Sequence, residues 1–146
     1  RNLLVAEILE QALMLKDCSQ AKRLTHLVFM GTGEPLDNYE NVLKAIRIIN
    51  SKGALNIGSR RITISTCGIL PGIQRLSEEG LQIELSVSLH AASDMIRSRI
   101  MPINKAYPLK ALLAERFGLS CLRDGEFGVE GLDCLGEIRD ELVLAT

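Results

Sequence analysis

Three short apolar runs in this sequence each end in small, polar or glycine residues of types that can bind a ligand. The three clusters are Met30-Gly31-Thr32-Gly33-Glu34, Ser65-Thr66-Cys67-Gly68 and Ser88-Leu89-His90. Glu34 is a carboxylate suited to an ammonium group, and the hydroxyls can bond to a carboxylate or a ribose. His90 can donate or accept a proton near neutral pH. If the runs are neighbouring strands, these residues could hold one polar ligand at the edge of a sheet.

Each of these residues also has a plain structural interpretation. Turns between strands and helices are often rich in glycine, and Glu34 could simply favour the N-terminus of a following helix. Ser65 and Thr66 could be ordinary turn residues. The Gly31-x-Gly33 pair is no dinucleotide fingerprint, because Leu36 stands at the third glycine position. The coincidence of three similar strand ends favours a site over three unrelated turns.

Alternating strand and helix patterns place the clusters in an α/β fold. Apolar periodicity predicts strands over about 26–30, 61–66 and 81–89, and helices over about 3–16, after Asp37 or Asn38, and from Pro71, Ser93-Asp94 and Pro108. This order predicts a parallel sheet, either a whole or partial (β/α) barrel or an open doubly wound sheet. Both architectures bind ligands at the carboxyl ends of the strands.

The texture of the sequence changes near Ala114. Residues 1–113 carry a net charge of +4 and residues 114–146 a net charge of −5, and the second segment contains five glycines. No strand-like run is visible in it. We therefore divide the chain into a core over 1–113 and an atypical tail over 114–146.

Composition and cysteine spacing exclude several classes. Apolar residues make up 47% of the chain, which argues against disorder, and no apolar run approaches the roughly 18 residues of a membrane span. The first residues do not read as a signal peptide, so a cytoplasmic location without membrane contact is expected. The four cysteines form no CxxC pair, and reduced structural thiols are the plain expectation.

The motifs together resemble one enzyme family. The segments HLVFMGTGEPLDNYENVLKAI, RRITISTCGILPGIQRL and LSVSLHAASDMIRSRIMPINKAYPLKALL are similar to radical S-adenosylmethionine methyltransferases that methylate carbon 2 of an adenine in 23S ribosomal RNA, some of which also modify tRNA. The resemblance covers about residues 1–113. It implies a fragment of a partial, TIM-like (β/α) barrel of the radical type.

The resemblance also implies roles for single residues. Gly33 and Glu34 stand where the family contacts the amino group of S-adenosylmethionine, and Ser65 stands where it contacts the methionine or ribose part. Ser88, Leu89 and His90 lie in the segment that lines the same cofactor. RNA is the implied partner, and Arg60, Arg61, Arg97, Arg99 and Lys105 could meet its phosphates or could be ordinary surface charges.

Other parts of the family machinery have no match in these residues. The family holds a [4Fe–4S] cluster, fed by a reductant, on three cysteines of a CxxxCxxC loop, expected a few residues before Arg1, and it uses two further catalytic cysteines. Cys67 replaces a frequent serine, and neither Cys121 nor Cys134 can inherit a catalytic role. We therefore expect no catalytic or metal-ligating residue here and an inactive fragment. The alternatives are another radical enzyme or a degenerate α/β binding protein.

Overall fold

The computed structural model describes residues 1–18, 24–114 and 141–144. In this part of the chain helices and parallel strands alternate, as the apolar periodicity predicts. The helices are α1 (Val5–Cys18), α2 (Tyr39–Asn50), α3 (Leu70–Glu78), α4 (Asp94–Ile100) and α5 (Leu109–Ala114), and the strands are β1 (His26–Phe29), β2 (Ile62–Thr66), β3 (Glu84–Val87) and β4 (Glu141–Leu144). Short 3-10 turns lie at Ser59–Arg61 and Pro102–Lys105.

The four strands form one parallel sheet in the order β3-β2-β1-β4. Leu27 of β1 lies opposite Ile62 of β2, and Ile64 lies opposite Leu85 of β3. The first three strands are therefore neighbours in the order in which they follow one another, as in a barrel, whereas β4 pairs with the outer edge of β1. An open doubly wound sheet can have the same order, so the strand order alone does not distinguish the two architectures.

The helices that connect the strands pack on one face of the sheet. The main apolar cluster joins Leu27, Phe29, Ile62 and Ile64 to residues of the first three helices, among them Ile8, Ala12, Val42, Ile46, Ile49, Ile73 and Leu76. Because successive strand residues point to opposite faces, these four strand residues share one face. Helices on a single face, joined to sequential strands, are the arrangement of a (β/α) barrel, so the structure decides between the two predicted architectures.

The opposite face of the sheet is mainly polar. By the same alternation it carries Thr63 and Ser65 of β2 and Glu84 and Ser86 of β3, and Ser65 lies opposite Ser86 in the register. The Thr63 hydroxyl donates to Glu84 at 3.4 Å. A barrel directs this face to its interior, so these polar side chains mark the interior side of the sheet fragment.

Three local expectations are corrected by the structure. Leu4 is 61% exposed although its spacing predicts an inward position, and Ile96 and Ile100 of α4 are also exposed. The buried residue of α4 is Arg97. Asn38 precedes α2 as expected, but its side chain makes no capping bond and donates to the carbonyl of Leu3 at 2.9 Å.

The prediction that no strand follows residue 114 is wrong at Glu141–Leu144. These residues form β4 and pair in parallel with β1, with His26 opposite Glu141 and Phe29 opposite Leu144. The run is not predicted because it lies in an acidic segment with five glycines, in which no helix pattern surrounds it. The division of the chain at residues 113 and 114 otherwise stays a prediction.

Within the described residues, no helix combines the length and the apolar character that crossing a membrane requires.

Candidate functional site

Glu34 is fixed at the end of β1 by groups from two segments. Its Oε1 accepts hydrogen bonds from the hydroxyl of Thr66 at 2.7 Å and from the backbone N–H of Leu36 at 3.0 Å. Its Oε2 accepts from the backbone N–H of Cys67 at 2.8 Å. Two of the three donors belong to the end of β2, so Glu34 does not act mainly as a cap for α2. A carboxylate offers about four acceptor positions, so one is spare apart from the weak S–H donor of Cys67, which a stronger donor can displace.

The turn after β2 depends on Thr66 and Gly68. The Thr66 hydroxyl donates to Glu34 and accepts the N–H of Gly68 at 3.0 Å. Gly68 has a φ of 100°, and a Cβ atom there would lie 2.8 Å from Leu112 Cδ2 of α5. Only glycine satisfies both requirements without strain. The turn therefore packs closely against α5, while the N–H of Cys67 donates to Glu34 and the N–H of Gly68 donates to the Thr66 hydroxyl.

The Ser65 hydroxyl is buried, and it has no hydrogen-bond partner among the described residues. Ser65 is 7% exposed, and no group in the described part of the chain forms a hydrogen bond with its hydroxyl. Buried polar groups in folded proteins are nearly always hydrogen-bonded, so an unpaired one in a candidate site points to a ligand or a water molecule. This observation supports the expectation that Ser65 contacts a bound polar molecule.

The third strand end joins the other two through the backbone. The N–H of Ser88 donates to the carbonyl of Thr66 at 2.9 Å, so the pairing of β2 and β3 continues into the site. Ser88 and Leu89 are half-buried, whereas His90 is exposed and has a φ of 58°. Non-glycine residues in the left-handed region are uncommon, although His is enriched there, and such residues concentrate at functional sites.

The structure thus brings together most of the predicted site residues. Direct hydrogen bonds connect Glu34 with the end of β2, and Ser88 with Thr66. Gly33 and Leu89 lie next to connected residues in the chain, and Gly33 is exposed. An apolar groove adjoins the segment after β3, lined by Leu89, Ala91, Ala92, Ser93, Asp94, Leu109, Lys110 and Leu113.

Two further residues in this region were not predicted to belong to the site. Arg97 is fully buried and donates to four acceptors, the carbonyls of Cys67, Leu89 and Tyr107 and the Asn104 Oδ1. Asn104, which is 2% exposed, also donates to the carbonyl of Asp94 and to Ser98. No periodicity could have identified Arg97, because arginine on a short helix is normally solvated. Of the two alternatives that the sequence leaves open for Arg97, a contact with phosphates and an ordinary surface charge, neither fits a side chain that is 0% exposed.

Burial and the neighbouring carboxylate keep Cys67 protonated. The pKa of the half-buried Cys67 thiol is raised to about 12. Burial is the largest cause, and the hydrogen bond and the charge of Glu34 add to it. A thiol with such a pKa is a poor nucleophile and a poor metal ligand at neutral pH. The backbone N–H of Cys67, rather than its sulfur, is therefore the part that serves the site.

The resemblance implies two bound groups, S-adenosylmethionine and a [4Fe–4S] cluster, and the side chains of the strand-end site suit only the first. The spare acceptor position on Glu34 and the unpaired hydroxyl of Ser65 suit the polar parts of S-adenosylmethionine. In the described residues, no three His, Cys, Asp or Glu side chains are grouped so that they could hold a metal ion. The described residues therefore fit the organic cofactor and do not fit an iron–sulfur cluster.

Comparison with known proteins defines the class that this fold and site belong to. Residues 1–116 match the model of the Radical SAM superfamily, and the chain belongs to that superfamily. Members of this superfamily use S-adenosylmethionine and a [4Fe–4S] cluster.

More particular relatives are named as RNA methyltransferases. The chain is 50% identical over 115 residues to a probable dual-specificity RNA methyltransferase RlmN of Symbiobacterium thermophilum, covering 78% of this chain and 31% of that protein. It is 48% identical over 119 residues to the protein of the same description from Dictyoglomus turgidum, covering 80% and 34%. A crystal structure of a radical SAM methyltransferase from Sphaerobacter thermophilus matches with a TM-score of 0.73 and 43% identity, over 78% of this chain and 34% of that one. The chain spans about a third of the length of these relatives.

Proposed function

We propose that the described residues are the S-adenosylmethionine-binding part of a radical RNA methyltransferase that methylates carbon 2 of an adenine in 23S ribosomal RNA, with tRNA as a second substrate. The observation that carries the proposal is the strand-end site, in which a fixed carboxylate with a spare acceptor position follows β1, and a buried hydroxyl without a hydrogen-bond partner among the described residues lies near the end of β2. The relatives named as dual-specificity RNA methyltransferases support the RNA substrate. A cytoplasmic location agrees with such a substrate.

The cofactor would be held by the strand-end residues, each through a different part of the molecule. Glu34 would accept a hydrogen bond from the ammonium group, next to the exposed backbone of Gly33. Ser65 would bond to the methionine or ribose part, and Ser88, Leu89 and His90 would line the segment after β3. The cofactor would supply the methyl group, and these residues would bind and orient it without reacting themselves.

The 146 residues alone are proposed to bind the cofactor weakly and to transfer no methyl group. In this superfamily the cluster chelates the amino and carboxylate groups of the cofactor, and none of the described residues forms a metal-ligating group. The activity therefore belongs to the assembled enzyme, together with its cluster and the reductant.

Titration calorimetry on the chain tests the binding site. We expect S-adenosylmethionine to bind weakly, with dissociation constants above about 10 μM, since much of the site is supplied elsewhere. Glu34→Gln and Ser65→Ala should each weaken binding by about 5- to 30-fold, the effect of losing one hydrogen bond. Ser77→Ala, on the exposed surface of α3, is the matched control and should leave binding unchanged. Tight binding that ignores Glu34→Gln would refute the assignment.

A chimeric enzyme tests the reaction. Residues 1–113 can replace the matching segment of the Symbiobacterium thermophilum relative, because the two are 50% identical over 115 residues. After anaerobic reconstitution, mass spectrometry of digested RNA should detect 2-methyladenine in 23S ribosomal RNA and in tRNA. A chimera that binds a cluster and S-adenosylmethionine but never modifies RNA would favour a radical enzyme with another substrate. A chain that binds no S-adenosylmethionine would favour a degenerate binding protein.

A further inference from the structure

Arg97 is a fully buried cation that contacts no carboxylate of the described residues. Its side chain is 0% exposed, and the part of the chain described by the structure places no Asp or Glu oxygen within ion-pair distance of it. Removing a guanidinium from water without an adjacent counter-charge is costly, so such a residue is retained only where its hydrogen bonds compensate. Four neutral acceptors surround it.

The four acceptors belong to separate segments that meet at the strand ends. Nη2 donates to the carbonyl of Cys67 after β2 at 2.5 Å, and Nε donates to the carbonyl of Leu89 after β3 at 3.1 Å. Nη1 donates to Asn104 Oδ1 at 2.6 Å and to the carbonyl of Tyr107 at 3.2 Å. A planar guanidinium with five N–H groups in fixed directions can hold these segments in one relative arrangement, which a lysine cannot do.

Cys67 links Arg97 to the carboxylate of Glu34. The Cys67 carbonyl accepts from Arg97, and the Cys67 N–H donates to Glu34 Oε2 at 2.8 Å. The backbone of one residue is thus held between a cation and an anion, each of which polarises the peptide group it contacts. Because both groups belong to Cys67, a displacement of its backbone changes both hydrogen bonds.

We propose that Arg97 is a positioning residue for S-adenosylmethionine binding, which acts through the Cys67 backbone on the orientation of Glu34. This inference rests on the proposed function of the strand-end site and deepens it. Arg97 does not touch the cofactor. It holds the turn after β2, and through the backbone of Cys67 it orients the spare acceptor position of Glu34 towards the ammonium group.

A comparison of two ligands distinguishes positioning from general structural support. S-adenosylmethionine carries the ammonium group that Glu34 binds, whereas 5′-methylthioadenosine lacks the amino-acid part. Arg97→Lys should weaken the binding of S-adenosylmethionine on the order of tenfold, about one hydrogen bond to a charged group, and should leave 5′-methylthioadenosine within about twofold. Arg99→Lys, two residues along the same helix but exposed, is the control and should change neither affinity. Equal losses for both ligands would overturn the proposal.

A measurement without ligand tests the positioning role of Arg97 even if the proposed function is wrong. In 15N–1H spectra of the 146-residue chain, the Cys67 amide should move in Glu34→Gln, because its acceptor loses its charge. It should move similarly in Arg97→Lys and stay in place in Arg99→Lys. If Arg97→Lys fails to fold, Asn104→Ala is used in its place in both measurements, because this variant removes only one of the four acceptors. An unmoved Cys67 amide would overturn the positioning role, while a wild-type chain that binds no S-adenosylmethionine would refute only the proposed function.

Discussion

Two networks of polar side chains hold this molecule together, and they differ in exposure. The strand-end network contains Glu34, Thr66, Cys67, Gly68, Arg97 and Asn104. The helix-surface network joins α2 to α3 through Tyr39, Glu40, Arg47, Arg75 and Glu79. In the second network Glu79 accepts from Tyr39 at 3.1 Å and from Arg47 at 2.6 Å, while Arg75 pairs with Glu40 and lies 4.2 Å above the ring of Tyr39.

The difference in exposure determines what each network contributes. The arginine side chains of the helix-surface network, Arg47 and Arg75, are 56% and 51% exposed, so water and salt screen their ion pairs. Arg97 is 0% exposed, and without it four buried or partly buried acceptors would lose a donor. Two networks of similar composition should therefore respond differently to the same substitution: one sets the geometry of the site, whereas the other adds little.

Replacing the arginine in each network should give the largest contrast. Arg97→Met leaves buried acceptors unpaired, and we expect it to lower the free energy of unfolding by about 3–5 kcal/mol. Arg75→Met removes an exposed ion pair and a cation–π contact, and should cost about 1 kcal/mol or less. Urea unfolding at pH 7 measures both. Similar losses for the two variants would show that burial does not distinguish the networks.

Glycine substitutions should separate conformational strain from close packing. Gly68 and Gly80 both have a positive φ, of 100° and 65°, but only at Gly68 would a Cβ meet another residue, Leu112. Gly80→Ala should cost about 1 kcal/mol for its backbone conformation alone. Gly68→Ala carries the same kind of strain plus a clash, so we expect a loss of about 2–4 kcal/mol. Thermal unfolding of both variants measures the two losses in stability. Equal losses would mean that α5 moves away from residue 68 without an energetic cost.

The sequence predicts most of the fold and part of the site. Apolar periodicity predicts the order of strands and helices, because burial of one face leaves a repeating pattern. It cannot choose between a barrel and an open sheet, since both use the same βα units; the single helix-covered face decides. Glu34, Ser65 and Ser88 are found because they follow recognisable strands.

The remaining parts of the site depend on contacts between distant residues. Arg97 and Asn104 are separated from Cys67 by 30 residues or more, and no local pattern reveals that a polar residue on a short helix is buried. The absence of a local signal also explains why the exposure of Ile96 and Ile100 could not be predicted. The roles of Thr66 and Gly68 also become specific only when Glu34 and Leu112 are placed beside them.

Titration of Cys67 should show that the strand-end network controls a thiol. The Cys67 pKa of about 12 lies above its ordinary value near 9, so the fold favours the protonated form. This contribution to stability is fully present below about pH 9 and is lost as the pH rises from 9 to 12. Between pH 8 and pH 10.5, the urea midpoint of unfolding should therefore fall less in Cys67→Ser than in the wild type. The pKa of Tyr39 is also raised, to about 12. Because Tyr39 is present in both proteins, its contribution to the pH dependence cancels in the comparison.

Alkylation at pH 8 gives an independent measurement on the same thiol. Because the thiolate is the reactive form, Cys67 should react with iodoacetamide far more slowly than the exposed Cys18, as followed by peptide mass mapping. Glu34→Gln removes the negative charge beside Cys67 and should accelerate its alkylation. Equal rates at the two cysteines would contradict the buried, carboxylate-bonded position of Cys67.

The smallest effect is expected at Arg47, and it tests the exposed side of the comparison. Arg47→Gln removes one ion pair to Glu79, whose carboxylate still accepts from Tyr39. We expect a loss of about 0.3–0.8 kcal/mol at low ionic strength that disappears in 1 M NaCl, where charges are screened within about 3 Å. Lys44→Gln, on the same helix but without an ion pair to a described residue, is the control. A loss at Arg47 above about 2 kcal/mol that survives high salt would mean that α2 and α3 are joined by a desolvated ion pair. The two networks would then differ in position and not in kind.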